Sequence, residues 1–282
     1  MTRLVLSSRR ITVGAVVRNA TLLALAVVTL APFVWMVSTS LKAPDEILTT
    51  DLHLWPHRFA ADENYSRAFA AVPLGRYLLN GVIVTATILA LQLIIAVPAA
   101  FALAKSEFRG RRLLFGAVLF GLLVPYHAIA VPLFVGLHAL GLLDTYAALV
   151  TPFSISVFGI FLMRQFFQSL PDDLVDAARM DGMSELAIVW RVMVPAAGPA
   201  ISAFAIFSAV AHWNDYFWPL IAVSSDTLFT PPLGVVAFRN DDAGTNYGVL
   251  MAAATVIVTP LVAAFLLAQR RFVEGIAFTG VK

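Results

Sequence analysis

Hydrophobic positions along this chain gather into long unbroken runs; they neither alternate nor recur every third or fourth place. Six stretches lack Asp, Glu, Lys and Arg altogether: Asn19 to Leu41, Tyr77 to Ala104, Leu113 to Leu143, Thr145 to Met163, Val192 to Asn214 and Ala243 to Gln269. A charge left unpaired at the bilayer centre costs at least about 2.5 to 3.5 kcal/mol, so charges mark where a span ends. A spanning helix needs about 20 mostly apolar residues, and all six stretches are of that order. The pattern predicts an all-α, polytopic membrane protein with six transmembrane helices. Their expected positions are about 16–39, 77–104, 113–137, 145–166, 198–221 and 245–269, within a single domain covering 1–282. Proline recurs inside these runs at Pro32, Pro98, Pro125, Pro132, Pro152, Pro219 and Pro260. Each proline frees a carbonyl that neighbouring helices must satisfy, as in helices that surround a cavity or move. The first run is too long for a signal peptide and lacks a small-residue cleavage pattern, so it reads as a retained anchor.

Composition agrees with the pattern. Hydrophobic residues make up 60% of the 282 positions and charged residues 13%, where soluble domains carry roughly a quarter charged. The formal charge of +2 is too mild to indicate nucleic-acid binding. Its distribution is more informative. Four Lys and Arg precede the first run, four (Lys105, Arg109, Arg111, Arg112) lie in the second connection, three (Arg164, Arg179, Arg191) in the fourth and three after the last. The first, third and fifth connections hold four, none and one, so the positive-inside rule puts both termini in the cytoplasm. With no cysteine, disulfides, a thiolate nucleophile and Cys-ligated metals are excluded.

The fourth connection, 167–195, carries the richest pattern. It contains Leu170-Pro171-Asp172-Asp173-Leu174-Val175-Asp176-Ala177-Ala178-Arg179-Met180-Asp181-Gly182-Met183-Ser184-Glu185, then Leu186 to Val194 and Pro195. Pro171 and two aspartates suit a helix start, Asp181-Gly182 permits a left-handed turn, and Ser184 suits the cap of a second helix. Leu174, Ala177, Ala178 and Met180 are expected near one face. The bland reading is a solvated amphipathic connection.

The spacing resembles the signature loop of binding-protein-dependent ABC importer permeases: an E-A-A triplet, three residues, Gly, nine residues, Ile, one residue, then Leu-Pro. Here it falls on Asp176-Ala177-Ala178, Gly182, Val192 and Val194-Pro195, with Asp176 for Glu, Val192 for Ile and Val194 for Leu. Further strings are similar to the maltose-type carbohydrate-uptake permeases. They are Ser38-Thr39-Ser40-Leu41-Lys42, Tyr77-Leu78-Leu79-Asn80, Gly141-Leu142-Leu143-Asp144-Thr145-Tyr146, Trp213-Asn214-Asp215-Tyr216, and a tail running from Arg271-Phe272-Val273-Glu274-Gly275-Ile276 to Gly280-Val281-Lys282. Phe278-Thr279 interrupts that family's small-residue ending.

This resemblance implies a type I ABC importer permease fold and one half of a heterodimeric pore in a bacterial-type cytoplasmic (inner) membrane. A second homologous permease subunit, two ABC ATPase subunits and an external solute-binding protein would be its partners, besides membrane lipid. It also implies a non-catalytic subunit carrying a sugar or sugar-like solute. No G-x-x-x-x-G-K-[ST] phosphate loop occurs in the chain, so ATP and Mg belong to the partner ATPase. The ATPase-coupling residues expected from the resemblance are Asp172, Leu174, Asp176, Ala177, Ala178, Arg179, Met180, Asp181, Gly182, Glu185, Leu186, Val192, Val194 and Pro195. Leu174, Met180 and Leu186 would serve as apolar anchors, and Ala177 and Ala178 would allow close backbone approach.

Candidate translocation-path residues are Asn80, Tyr126, His127, Trp213, Asn214, Asp215 and Tyr216. Asp215 is an acid within an apolar region, which points to function or to an interfacial belt. Asn80, Tyr126 and His127 equally suit hydrogen bonds between helices. Trp213, Tyr216, Phe217 and Trp218 would suit stacking on a sugar face or lipid headgroups. No metal site is expected: His53 and His57 have the i, i+4 spacing, but Pro56 disfavours the helix they would need. Asp172-Asp173 and Asp241-Asp242 read as helix starts or solvated loops. Two other classes remain open. An ion-coupled secondary transporter would show an inverted repeat and buried ion-coupling acids, and an intramembrane enzyme would show a nucleophile-base or metal pair at facing positions.

Overall fold

The computed structural model describes residues 13–49, 51, 53–238 and 246–279. Asp241-Asp242, the closing Gly280-Val281-Lys282 and the basic residues Arg3, Arg9 and Arg10 lie outside them. The described chain is helical, and its only β-feature is an isolated bridge between Lys42 and Phe59.

In chain order the helices are α1 (Val13–Ser40), α2 (Ala61–Ala71), α3 (Leu74–Lys105), α4 (Arg111–Leu123), α5 (Tyr126–Ala139), α6 (Tyr146–Val150) and α7 (Val157–Ser169). They continue as α8 (Asp173–Met180), α9 (Glu185–Ile188), α10 (Val194–Ala196), α11 (Gly198–Trp213), α12 (Phe217–Ala222), α13 (Pro231–Val235) and α14 (Tyr247–Thr279). A π-helical turn, Val189–Met193, joins α9 to α10, and a 3-10 turn, Thr151–Phe153, follows α6.

Three helices are long and apolar enough to cross a membrane unaided: Val13–Ser40, Leu74–Lys105 and the Tyr247–Leu267 part of α14. The other three apolar runs are broken. α4 and α5 meet at 101°, Tyr146–Phe153 and α7 at 41°, and Glu185–Ala196 and α11 at 84°. The third run is therefore not the single helix expected over 113–137. Pro125 has no N–H to give and disfavours helical dihedrals in the residue before it, so Val124 is extended (φ −76°, ψ 117°). Likewise the fifth run does not continue as one helix to 221: α11 stops at Trp213, and the chain turns through 214–216 before α12.

α3 is the central element, packed along α7 and against α11. At one end Val97, Ala100 and Phe101 of α3 join Met163 and Phe167 of α7, Val175 and Ala178 of α8, and Ile188, Val189 and Met193 in one buried cluster. At the opposite end Val84 and Ile88 of α3 join Ala148 and Leu149 of α6, Trp218 and Ala222 of α12, and Leu233 of α13. α1 is peripheral: only Ser38, Thr39 and Ser40 are buried, and its apolar surface is left for lipid or another chain.

Candidate functional site

The segment from α8 to α9 is a helix-turn-helix, and backbone chemistry fixes its turn. Asp181 N donates to Ala177 O at 3.0 Å, Gly182 N to Arg179 O at 3.0 Å and Met183 N to Ala178 O at 3.1 Å. The last two bonds make a Schellman closure, which requires a left-handed residue, and Gly182 supplies it with φ +78°. Ser184 then caps α9 by accepting from Ala187 N. Arg179 spans the turn. Its Nε and Nη2 donate to the two Glu185 carboxylate oxygens at 2.8 and 3.2 Å, and Nη1 reaches Asp176 at a longer 3.4 Å. This fork raises the Arg179 pKa and lowers that of Glu185, in each case chiefly through their hydrogen bonds.

The two faces of this unit differ. Val175 and Ala178 are buried against α3 and α7, with Ile188, Val189 and Met193 beneath the second helix. Val192 and Val194 pack on the same cluster, and Pro195 is exposed. Facing outward are Leu174, Met180 and Leu186, exposed by 42, 88 and 62%, together with Ala177, Asp176 and Asp181. Ala178 thus does not share the outward face of Ala177 as expected. Its methyl joins the chain's own core cluster.

Lys105, the last residue of α3, fastens the unit to the bundle. Its side chain is 5% exposed, and Nζ donates to Leu170 O at 2.6 Å and to the Asp172 carboxylate. Asp172 therefore spends its charge on Lys105 and not on capping α8, and that contact holds its carboxyl below the ordinary carboxylate value. The sequence placed Lys105 only in a charge tally. Nothing local marks it, because its partner is 67 residues away.

The candidate path residues divide. Asn80 is fully buried and bonded within the chain: Nδ2 donates to Thr227 O and Phe229 O, each at 2.9 Å, and Oδ1 accepts from Tyr146 Oη at 2.6 Å. The Trp213 and Trp218 indoles are buried too and donate to Ile257 O at 3.1 Å and Ala148 O at 2.8 Å. Neither presents a face for stacking, contrary to the expectation from their aromatic supply. Asn214 bonds back to Val210 O at 2.9 Å within its own turn.

Tyr126, His127 and Asp215, by contrast, come together. The break at Pro125 brings the start of α5 to the α11–α12 turn, where Asp215 interacts electrostatically with both Tyr126 and His127. The Tyr126 ring lies 5.2 Å from Phe153 and 6.2 Å from Phe217, and its buried hydroxyl has no hydrogen-bond partner among the described residues. Tyr216 is partly exposed nearby in sequence. Beside this group runs a chain the sequence reading missed. Ser208 Oγ donates to Gln92 Oε1 at 2.6 Å, while Gln92 Nε2 donates to Phe153 O at 2.8 Å and meets His212 Nε2 at 3.0 Å. Gln92 is the only glutamine in the second apolar run. Delimiting spans by formal charge alone overlooked it.

His53 and His57 lie outside any helix, with rings 4.8 Å apart, and among the described residues no group of three His, Asp or Glu is placed to hold a metal.

Comparison with known proteins shows where a helical membrane bundle carrying such a turn unit belongs. Residues 92–277 match the family "binding-protein-dependent transport system inner membrane component". The chain belongs to this family. The permease is 35% identical over 203 residues, 72% of each chain, to the arabinooligosaccharides transport system permease protein AraQ of Halalkalibacterium halodurans. It is 33% identical to the diacetylchitobiose uptake system permease protein NgcG of Streptomyces coelicolor, covering 93% of this chain and 87% of that one. It also superposes with a TM-score of 0.81 at 26% identity on a chain from the crystal structure of a bacterial ABC transporter involved in import of the acidic polysaccharide alginate, covering 96% of this chain and all of that one. It is a multi-pass membrane permease subunit, and its family implies association with other components of a transport system.

Proposed function

We propose that this permease is one half of the pore of an ATP-driven importer that takes a sugar or sugar-like solute from an external binding protein into the cytoplasm by alternating access. A second homologous permease subunit completes the pore, and two ABC ATPase subunits bind ATP and Mg beneath it. In this reading α4 with α5 makes one crossing, Tyr146–Phe153 with α7 another, and α11 carries a third, giving six in all with the three unbroken helices. Both termini and the α8–α9 unit face the cytoplasm, in accord with the distribution of Lys and Arg.

The observation that carries the coupling role is the outward row of Leu174, Met180 and Leu186 on a turn unit whose other face is locked into the bundle. Apolar side chains exposed at a water-facing end are anchors for a protein partner. Because Gly182 and the Arg179–Glu185 fork hold the two short helices as one body, a push on that row is transmitted through Val175, Ile188 and Lys105 to α3 and α7. Family membership favours this over an ion-coupled transporter or an intramembrane enzyme.

The solute class rests on the names of the relatives and on the Tyr126–His127–Asp215 group with Gln92, Ser208 and His212 at its side. Aromatic faces with a carboxylate, amide and hydroxyl beside them suit a hydroxylated ligand, and breaks in the surrounding helices are where transporters place such sites. The test uses the chain's lack of cysteine. Met180→Cys, the sole cysteine, should cross-link in native membranes to one protein, identifiable by mass spectrometry as an ABC ATPase, and ATP should change the yield. Cross-linking only to lipid or to another copy of this chain would refute the coupling role.

A further inference from the structure

Away from the coupling unit, at the same end of the bundle, three arginines gather about one hollow. Arg111 and Arg112 open α4, and Arg164 comes from α7. They line a cavity of about 720 Å³ together with Glu107, Phe108 and Phe115. The Arg164 guanidinium lies 3.6 Å over the Phe115 ring, donates from Nε to Leu103 O at 3.0 Å and from Nη1 to Gln168 Oε1 at 3.1 Å. Arg111 Nη1 donates to Ser106 O at 3.0 Å. Both are thus held by neutral acceptors, and each guanidinium has five N–H groups, so most of their donors are unspent. Arg111 and Arg164 repel each other electrostatically, and among the described residues neither they nor Arg112 form a salt bridge. Against these three cations the cavity holds one acid, Glu107, which forms no salt bridge among the described residues, so a net positive charge is left for an anion from elsewhere.

The neighbouring cavity tells which anion. A second hollow, of about 440 Å³, shares Phe108 with the first and is walled by apolar side chains, among them Ala102, Leu114, Ala117 and Val118. Ala117 lies six residues beyond Arg111 on α4, roughly 9 Å further along the helix at 1.5 Å per residue. The small side chains of Ala102 and Ala117 leave the hollow open. Charge at one level and an apolar slot one to two turns deeper is the order in which a phospholipid presents its headgroup and its acyl chain. A soluble phosphate compound would use the first cavity and leave the second without purpose. The arginines lie on the end assigned to the cytoplasm, where anionic headgroups attract basic residues.

We propose that this double cavity is a binding site for one anionic phospholipid of the inner leaflet, its phosphate held by Arg111, Arg112 and Arg164 and one acyl chain lying between α3, α4 and α7. Phe108 is the hinge between the two parts. The site ties α4 to α3 and α7, the two helices whose residues share a core with the turn unit, so occupancy stiffens the end of the bundle that the coupling motion must move as a body.

The test takes the permease with its copurifying subunits in mild detergent, strips it of lipid, and titrates it with phosphatidylglycerol or phosphatidylcholine while native mass spectrometry counts bound lipid. Wild type should retain one phosphatidylglycerol in strong preference to phosphatidylcholine. Arg111→Gln with Arg112→Gln should weaken that binding by about fivefold for each arginine lost, and Ala117→Trp, which fills the apolar slot and keeps every charge, should abolish it. Equal retention of the two lipids by wild type would overturn the proposal whatever the variants do. Displacement of bound phosphatidylglycerol by glycerol phosphate at equal concentration would also overturn it, by making this a site for a free phosphate compound. Stripped wild type and both variants should unfold at similar temperatures, with phosphatidylglycerol raising only the wild-type midpoint; a rise of equal size in Ala117→Trp would contradict the acyl slot.

Discussion

The two ends of this permease treat polar chemistry in opposite ways. At the end opposite the turn unit the amide and carboxylate side chains of Asn80 and Asp144 are spent within the chain, although the buried hydroxyls of Thr85, Tyr126 and Thr230 are not: Asn80 gives both donors to loop carbonyls, and the Asp144 carboxylate accepts the backbone N–H of Ser224 and Ser225 at 2.9 and 2.8 Å. Asp144 does this from a left-handed conformation, φ +59°, and the three hydrogen bonds from Ser224 and Ser225 keep its carboxyl below the ordinary value. At the α8–α9 end the backbone closes the turn by itself, and the outward side chains Leu174, Met180 and Leu186 stay exposed, Met180 almost wholly. Spent polar groups hold a fixed shape, whereas an uncovered apolar row waits for a partner. The difference teaches where this molecule is complete and where it is one part of a larger machine.

The sharpest way to break the contrast is at Gly182. A proline there cannot adopt φ +78° and removes the N–H that reaches Arg179 O, at a cost of ~3 kcal/mol or more. Gly182→Pro should lower coupled transport by on the order of a hundredfold, while Asp176→Ala, touching only a long 3.4 Å contact, should cost about 0 to 1 kcal/mol. Solute uptake measured beside ATPase copurification tests the ranking, and the reverse order would refute it.

Next comes the apolar row. Met180→Asp should weaken ATPase binding by about 2 kcal/mol, the scale of an interface hot spot, yet leave the thermal midpoint of the isolated permease within the range of a neutral surface change. A fall in that midpoint would mean the residue serves the fold. At the opposite end the signs exchange. Asn80→Leu deprives the Phe229 carbonyl and the Tyr146 hydroxyl of their partner, while Thr227 O keeps Arg76 Nε, and should cost about 1 to 3 kcal/mol of stability without altering which solute is carried. Gln92→Leu should instead raise the KM for solute by several-fold, about 1 kcal/mol of binding; an unchanged KM with lowered stability would return Gln92 to the class of Asn80.

The smallest effect concerns pH. Glu185 has its carboxyl lowered from 4.5 by the Arg179 fork, so the pair's stabilisation is fully present above pH 4.5 and disappears as pH falls through the lowered value. Its side chain is 56% exposed, which limits the contribution to about 0 to 1 kcal/mol. Thermal midpoints of wild type and Glu185→Gln should differ slightly at pH 7 and converge at low pH.

Much of this was legible from the order of residues. Charge-free runs and the Gly182 spacing each act locally: a run of apolar side chains must leave water, and an Asp-Gly pair after a helix readily turns left. Other features were not. Pro125 reads the same as Pro98, yet α3 passes through Pro98 unbroken while α4 and α5 part at Pro125. A proline in a helix kinks or ends it according to whether neighbours satisfy the freed carbonyl, and that depends on contacts distant in sequence.

The sequence by itself determined an all-α membrane protein and the turn unit with its likeness to the importer permeases, because the length of an apolar run and turn chemistry are short-range. Tertiary structure alone decided that Ala178 faces inward beside an outward Ala177, that Lys105 clasps Asp172, that Trp213 and Trp218 are core, and that Tyr126 meets Asp215. Each of those depends on which helix arrives alongside, and the burial and polar pairing that follow come from packing across tens of residues.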